Sequence, residues 1–161
     1  MRKETFYLLV LIIVVTIGAF LFYILGKSSL GEKEEEAKRV LAECLQKKGI
    51  LMYGLDTCPH SSRQKKEFGK SFSLISYIEC RKEKEKCKEE GISAVPTWSF
   101  PKEVGVEKKI LSCEECRKKQ KSIYCNDYCF ILSPKGKVLI SGAMPLEKLA
   151  EISGCPYPKK K

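Results

Sequence analysis

Residues 5–25 read TFYLLVLIIVVTIGAFLFYIL, without one charged side chain. At about 1.5 Å per residue, a helix of that length reaches about 30 Å, the thickness of a bilayer core. Phe6 and Tyr7 stand at one end and Phe22 and Tyr23 at the other, like an aromatic belt. A cleaved signal peptide is the rival reading. Its apolar region would be shorter and its cleavage site would read Ala-x-Ala or similar, which GKSSLG after the run fits only weakly. A retained single span is therefore expected. Arg2 and Lys3 before it, against Lys27 directly after it, favour an inside N-terminus and an extracytoplasmic soluble domain; Lys33, Lys38 and Arg39 weigh the other way.

The rest of the 161-residue chain is dense in Lys and Glu, and is long enough to bury a core of its own. Taking Arg2, Lys3 and Glu4 from the 30 basic and 20 acidic residues leaves the soluble part about nine charges positive. The bases alternate with acids, as in RKEKEK from Arg81, and no aromatic residues interleave them. That is a solvated face rather than a nucleic-acid surface.

The pattern predicts alternating helices and strands. A helix over 32–48 places Ala37, Val40, Leu41, Cys44 and Leu45 on one face and stops at Gly49. A short strand covers 50–55, and a second helix begins at the Cys58-Pro59 turn. Residues 72–79 look strand-like, 83–90 helical, and 97–100 strand-like. Residues 101–128 are irregular, 129–133 and 137–141 form a hairpin, and 146–152 form a closing helix before Gly154. This order predicts an α/β fold with a parallel strand pair early and an antiparallel hairpin late.

Nine cysteines are many for this length, and the odd count leaves one unpaired within the chain. Such density means disulfides in an oxidising compartment or metal in a reducing one. Cys58-Pro59-His60-Ser61 stands where a strand meets a helix start. A helix N-terminus offers unsatisfied N–H groups and a partial positive charge, which favour thiolate over thiol. His60, the sole histidine, adds charge there when protonated. Thiolate is the form that attacks disulfides. The contrasting reading is an inert buried cysteine. Cys44 reads as a core residue, Cys155 as free or paired with a neighbour, Trp98 as core, and Asp56 as a helix cap.

The stretch Tyr53-Gly-Leu-Asp-Thr-Cys-Pro-His-Ser61 resembles the active-site turn of thioredoxin-fold proteins. It is most similar to the thioredoxin-like domain attached to vitamin K epoxide reductase homologues, whose turn reads Tyr-Gly-x-x-x-Cys-Pro-His-Cys. Tyr77-Ile-Glu-Cys80, Cys87-Lys-Glu-Glu-Gly-Ile-Ser, Val95-Pro96-Thr97-Trp98 and the segment 141–154 match further parts of that family. The resemblance implies a thioredoxin-like domain over 37–154, apart from an insertion at about 101–128; the residues themselves read as an anchor at 1–26, a linker and helix start at 27–36, and a basic tail at 155–161. Cys58 would be the nucleophile. Pro96 would be cis beside it, with the Val95 backbone pairing to an extended substrate. Cys80 and Cys87 would form a structural disulfide.

One departure stands out: Ser61 occupies the second active-site cysteine position. A dithiol attacks and then resolves its own mixed disulfide, and a serine resolves nothing. The insertion adds Cys113-x-x-Cys116 and Cys125-x-x-x-Cys129, two close pairs that suit a tetrahedral zinc site or two disulfides. Cys113 and Cys116 could instead supply the partner that Cys58 lacks.

The expectation is a membrane-anchored, monothiol exchange protein, an oxidoreductase or isomerase that forms mixed disulfides with cysteine-containing proteins. It needs no cofactor, with zinc as an option in the insertion. A membrane redox partner of vitamin K epoxide reductase type rests on the resemblance alone. The alternatives are a redox-inactive peptide-binding or chaperone-like module and a zinc-stabilised interaction domain.

Overall fold

A computed structural model describes residues 3–108, 110, 112–115 and 128–158. The chain divides into two compact units, Met1–Glu36 and Ala37–Lys161.

In the first unit, helix α1 (Lys3–Lys47) begins, and its Phe6–Tyr23 stretch is long and apolar enough to cross a membrane. Its large side chains, among them Leu11, Phe20 and Phe22, are exposed within the chain. The backbone stays helical through 27–31, where the Gly and Ser content had suggested a linker.

The second unit is a mixed α/β domain. After the end of α1 come β1 (Leu51–Gly54), α2 (Pro59–Phe68), a 3-10 turn (Gly69–Leu74), β2 (Ser76–Glu79) and α3 (Lys84–Glu89). Then follow β3 (Thr97–Phe100), two short 3-10 turns (Lys102–Val104 and Val106–Lys108), β4 (Ile131–Leu132), β5 (Val138–Ser141) and α4 (Leu146–Ser153). The sheet runs β2-β1-β3-β5-β4. β1 and β2 are parallel; β1–β3, β3–β5 and β5–β4 are antiparallel. The early parallel pair and the late hairpin are thus present, although the strands are shorter than the sequence pattern suggested. The strand expected from Phe72 begins only at Ser76. Gly69, at φ 58°, ends α2, and the chain takes a 3-10 turn that stacks Phe72 between Phe68 and Tyr77.

The core is continuous: Leu41 and Leu45 from α1, Met52 from β1, Phe68 from α2, Trp98 and Phe100 from β3, Ile140 from β5 and Leu149 from α4. Trp98 is a core residue, as its strand position implied. Burying side chains of this size supplies the main stabilisation of the domain.

Among the described residues, three disulfides close the second unit. Cys80–Cys87 joins the end of β2 to α3, and Cys113–Cys129 joins the insertion to the residues just before β4. Cys44–Cys155 ties α1 to the segment after α4. This last pair selects the paired alternative for Cys155 and adds a bond to the core role expected of Cys44. Cys44 does pack against the core, but it is bonded, and Cys155 is buried rather than free. Lys48 reinforces the same junction, donating from Nζ to the Ser153 carbonyl at 2.7 Å.

Candidate functional site

Strand β1 ends at Gly54, and the residue type is forced there. A Cβ would lie 2.9 Å from Tyr77 Cε2 and 3.1 Å from Ser61 Oγ. The chain then turns, with the Cys58 N–H donating to the Leu55 carbonyl at 3.0 Å, and enters α2 with Cys58 as N-cap and Pro59 in the first turn. Proline suits that place because its missing N–H would have no helical partner. The Ser62 N–H to Cys58 carbonyl bond opens the helix.

Cys58 is half-buried and is the one cysteine outside a disulfide among the described residues. Its thiol faces the Val95 carbonyl at 3.6 Å. Hydrogen bonding from the Ser61 backbone N–H holds the Cys58 thiol below its ordinary value, against the upward push of burial. The Ser61 hydroxyl and the His60 backbone N–H add to the lowering. His60 acts on the sulfur through its peptide group. Ser61, fully buried, also accepts the Leu55 N–H at 3.4 Å. Replacing Ser61 by alanine removes one donor to the thiolate, so the midpoint of Cys58 alkylation against pH should move up toward the ordinary thiol value. An unchanged midpoint would show that the hydroxyl contributes nothing.

The Val95–Pro96 bond is cis. The segment 94–96 is held by Thr97, whose hydroxyl bonds the Ala94 carbonyl at 2.7 Å and meets Ser141 Oγ at 2.8 Å. The Pro96 carbonyl accepts the Gly142 N–H at 2.8 Å. Beside this segment lies an open cavity of about 430 Å³, bounded by His60, Arg63, Val95, Pro96, Tyr128 and Ala143, with further backbone from 141–142. His60 and Arg63 of α2 and the 94–96 segment both line this groove, and Val95 also faces the Cys58 thiol.

The far wall is fixed by a residue that the sequence pattern did not single out. Gln64 is fully buried. Its Nε2 donates to the Met144 carbonyl at 2.9 Å, and its Oε1 accepts the Met144 N–H at 2.6 Å and the Trp98 indole N–H at 3.4 Å. Tyr128 donates to the Ala143 carbonyl at 3.2 Å. Substituting Gln64 with leucine strands both Met144 backbone groups, each worth about 1–3 kcal/mol when buried and unpaired. The expected loss is about 3 kcal/mol in denaturant unfolding; a loss under about 1 kcal/mol would mean the wall repacks without it.

Asp56 is no helix cap. Its carboxylate pairs with Lys65 at 2.5 Å and accepts from the Tyr77 hydroxyl at 3.2 Å. The Lys65 hydrogen bond holds that carboxylate below its usual range. Lys65 also sits 3.8 Å from the Tyr77 ring centroid, a cation–π distance.

Cys80 and Cys87 are bonded to each other, with Cα atoms 5.8 Å apart. In the insertion, Cys113 and Cys129 form a disulfide, while Cys116 and Cys125 lie outside the described residues. A sulfur in a disulfide is not a thiolate ligand, so a four-cysteine zinc site would require this bond to be reduced.

No family model matches the chain. The functional reading rests on the site itself.

Proposed function

We propose that the chain is a membrane-anchored thiol–disulfide exchange protein of thioredoxin-like fold, with Cys58 as its single nucleophile. The observation that carries this reading is the Cys58 thiol at the α2 N-terminus, lowered by backbone N–H groups and facing the Val95 carbonyl beside cis Pro96. The mixed sheet and the strand–Cys-Pro–helix turn support the thioredoxin-like assignment. Phe6–Tyr23 serves as the anchor. Three disulfides support an oxidising, extracytoplasmic location for the second unit.

In the reaction, the Cys58 thiolate attacks one sulfur of a partner disulfide. A new S–S bond forms to Cys58, and the other partner sulfur leaves as thiolate with the electron pair. Ser61 cannot attack the mixed disulfide. An external thiol does so and regenerates Cys58. The partners are cysteine-containing proteins, and a membrane reductase of vitamin K epoxide reductase type is one candidate source of that thiol. The groove supplies the binding step: the extended segment around the partner cysteine lies along 95–96.

The test is mixed-disulfide trapping on the full chain in detergent, with Cys58 reduced and, as partner, a peptide whose single cysteine carries a 2-thiopyridyl disulfide, so that the thiopyridone released does not reverse the step. The adduct should form on Cys58, persist, and disappear only when a free thiol is added. Spontaneous resolution without added thiol would contradict the monothiol mechanism. The groove also favours a second reading, a peptide-binding module without exchange; peptide bound with no adduct at Cys58 would select it.

A further inference from the structure

We propose that the Cys58 site selects anionic partners: the disulfide it attacks, or the thiol that releases it, carries negative groups beside the reacting sulfur. The inference deepens the exchange reading above and rests on it.

The argument begins with the charges around the thiol. On the groove side, Arg63 and His60 border the cavity, which no carboxylate lines among the described residues. Outside the cavity lining, Arg81 reaches back to the residue before the nucleophile, with Nη2 3.3 Å from Thr57 Oγ1. Lys82 follows it in the chain, and Lys65 lies on α2. Against these stand two carboxylates, Asp56 and Glu79, and both are committed. Asp56 is paired with Lys65. Glu79 is 8% exposed, and its oxygens accept the Asp56 N–H at 3.2 Å and the Lys82 N–H at 2.8 Å. Arg63 and Arg81 are exposed, and neither is in an ion pair among the described residues.

The charges of both guanidinium groups are therefore available to a partner. Cations beside a reactive centre raise the local concentration and encounter rate of anions, an effect that salt screens. The chain's net charge of +10 acts in the same direction. Guanidinium also meets carboxylate in a two-pronged geometry that an ammonium lacks.

The experiment uses three aliphatic disulfides of matched chemistry: dithiodipropionate (dianionic), bis(2-hydroxyethyl) disulfide (neutral) and cystamine (dicationic). Adduct formation at Cys58 of the full chain in non-ionic detergent is followed by mass spectrometry. Each rate is divided by that of free mercaptoethanol with the same reagent. At low ionic strength the dianion should react about tenfold or more faster than the dication on this scale. The ratio should shrink toward one in 0.5 M salt and in the double variant Arg63→Gln, Arg81→Gln. Equal normalised rates for all three reagents would overturn the charge selectivity while leaving exchange at Cys58 intact. A charge preference undiminished by the double substitution would overturn the assignment to these two arginines. No adduct with any reagent would overturn the exchange reading, and this inference with it.

Discussion

Cys58→Ser should abolish disulfide exchange while leaving the fold as stable as before or slightly more stable. The serine hydroxyl is not ionised near neutral pH and forms no disulfide, and no other described cysteine carries a free thiol to take over. Loss of activity through misfolding is separable from loss of the nucleophile. Cys58 is the N-cap of α2 and makes no side-chain capping bond. Serine is among the preferred N-cap residues, and its oxygen can accept an N–H of the first turn. The expected stability change is a gain of about 0.5 kcal/mol, read by denaturant unfolding, together with adduct formation at background level. Residual exchange at more than a few per cent of the parent rate would mean that another thiol carries the reaction.

Replacing Cys44 and Cys155 together by alanine should be the most destabilising change away from the site. The two residues are separated by 111 positions, so their bond closes a loop around nearly the whole second unit. In the chain-entropy account, a cross-link of that span restrains the unfolded chain by about 4–5 kcal/mol. The junction is otherwise modest: Lys48 bonds the Ser153 and Gly154 carbonyls, and the Cys155 N–H donates to the Ala150 carbonyl. The melting temperature of the second unit should fall by about 15 °C. A fall of only a few degrees would show that core packing by Leu41, Leu45 and Leu149 holds this corner without the bond.

The parts of the fold that could be read from the sequence were those set by local punctuation. Gly49, the apolar run after it and Cys58-Pro59 mark the end of a helix, a buried strand and a new helix start, and those elements are present. Residues 72–74, the end of the 3-10 turn at Gly69–Leu74, read as strand because Phe72 and Leu74 alternate as strand residues do, while Phe72 in fact packs with the Phe68 and Tyr77 rings. The Cys44–Cys155 bond was not legible, since each cysteine has a plausible local role and nothing nearby in sequence points 111 residues away. Gln64 was hidden for a similar reason. Within PHSSRQKKEF it looks like one more polar position on a surface helix. Only the packing of Met144 and Trp98 against it shows that it closes the groove wall.

The lowered Cys58 thiol has a consequence for stability as well as reactivity. The folded-state value lies below the ordinary value of about 8.5, so the folded state binds the proton less tightly than the unfolded chain does. Its stabilising contribution is fully present above the ordinary value and is lost as pH falls through the folded one.

Site-resolved alkylation of Cys58 against pH, on the full chain in detergent, tests the central claim most directly. A midpoint clearly below 8.5 is the predicted result, since the Ser61 and His60 N–H groups then stabilise a reactive thiolate at neutral pH. A midpoint at or above 8.5, or no labelling at any pH, would make Cys58 an inert cysteine and contradict its role as nucleophile.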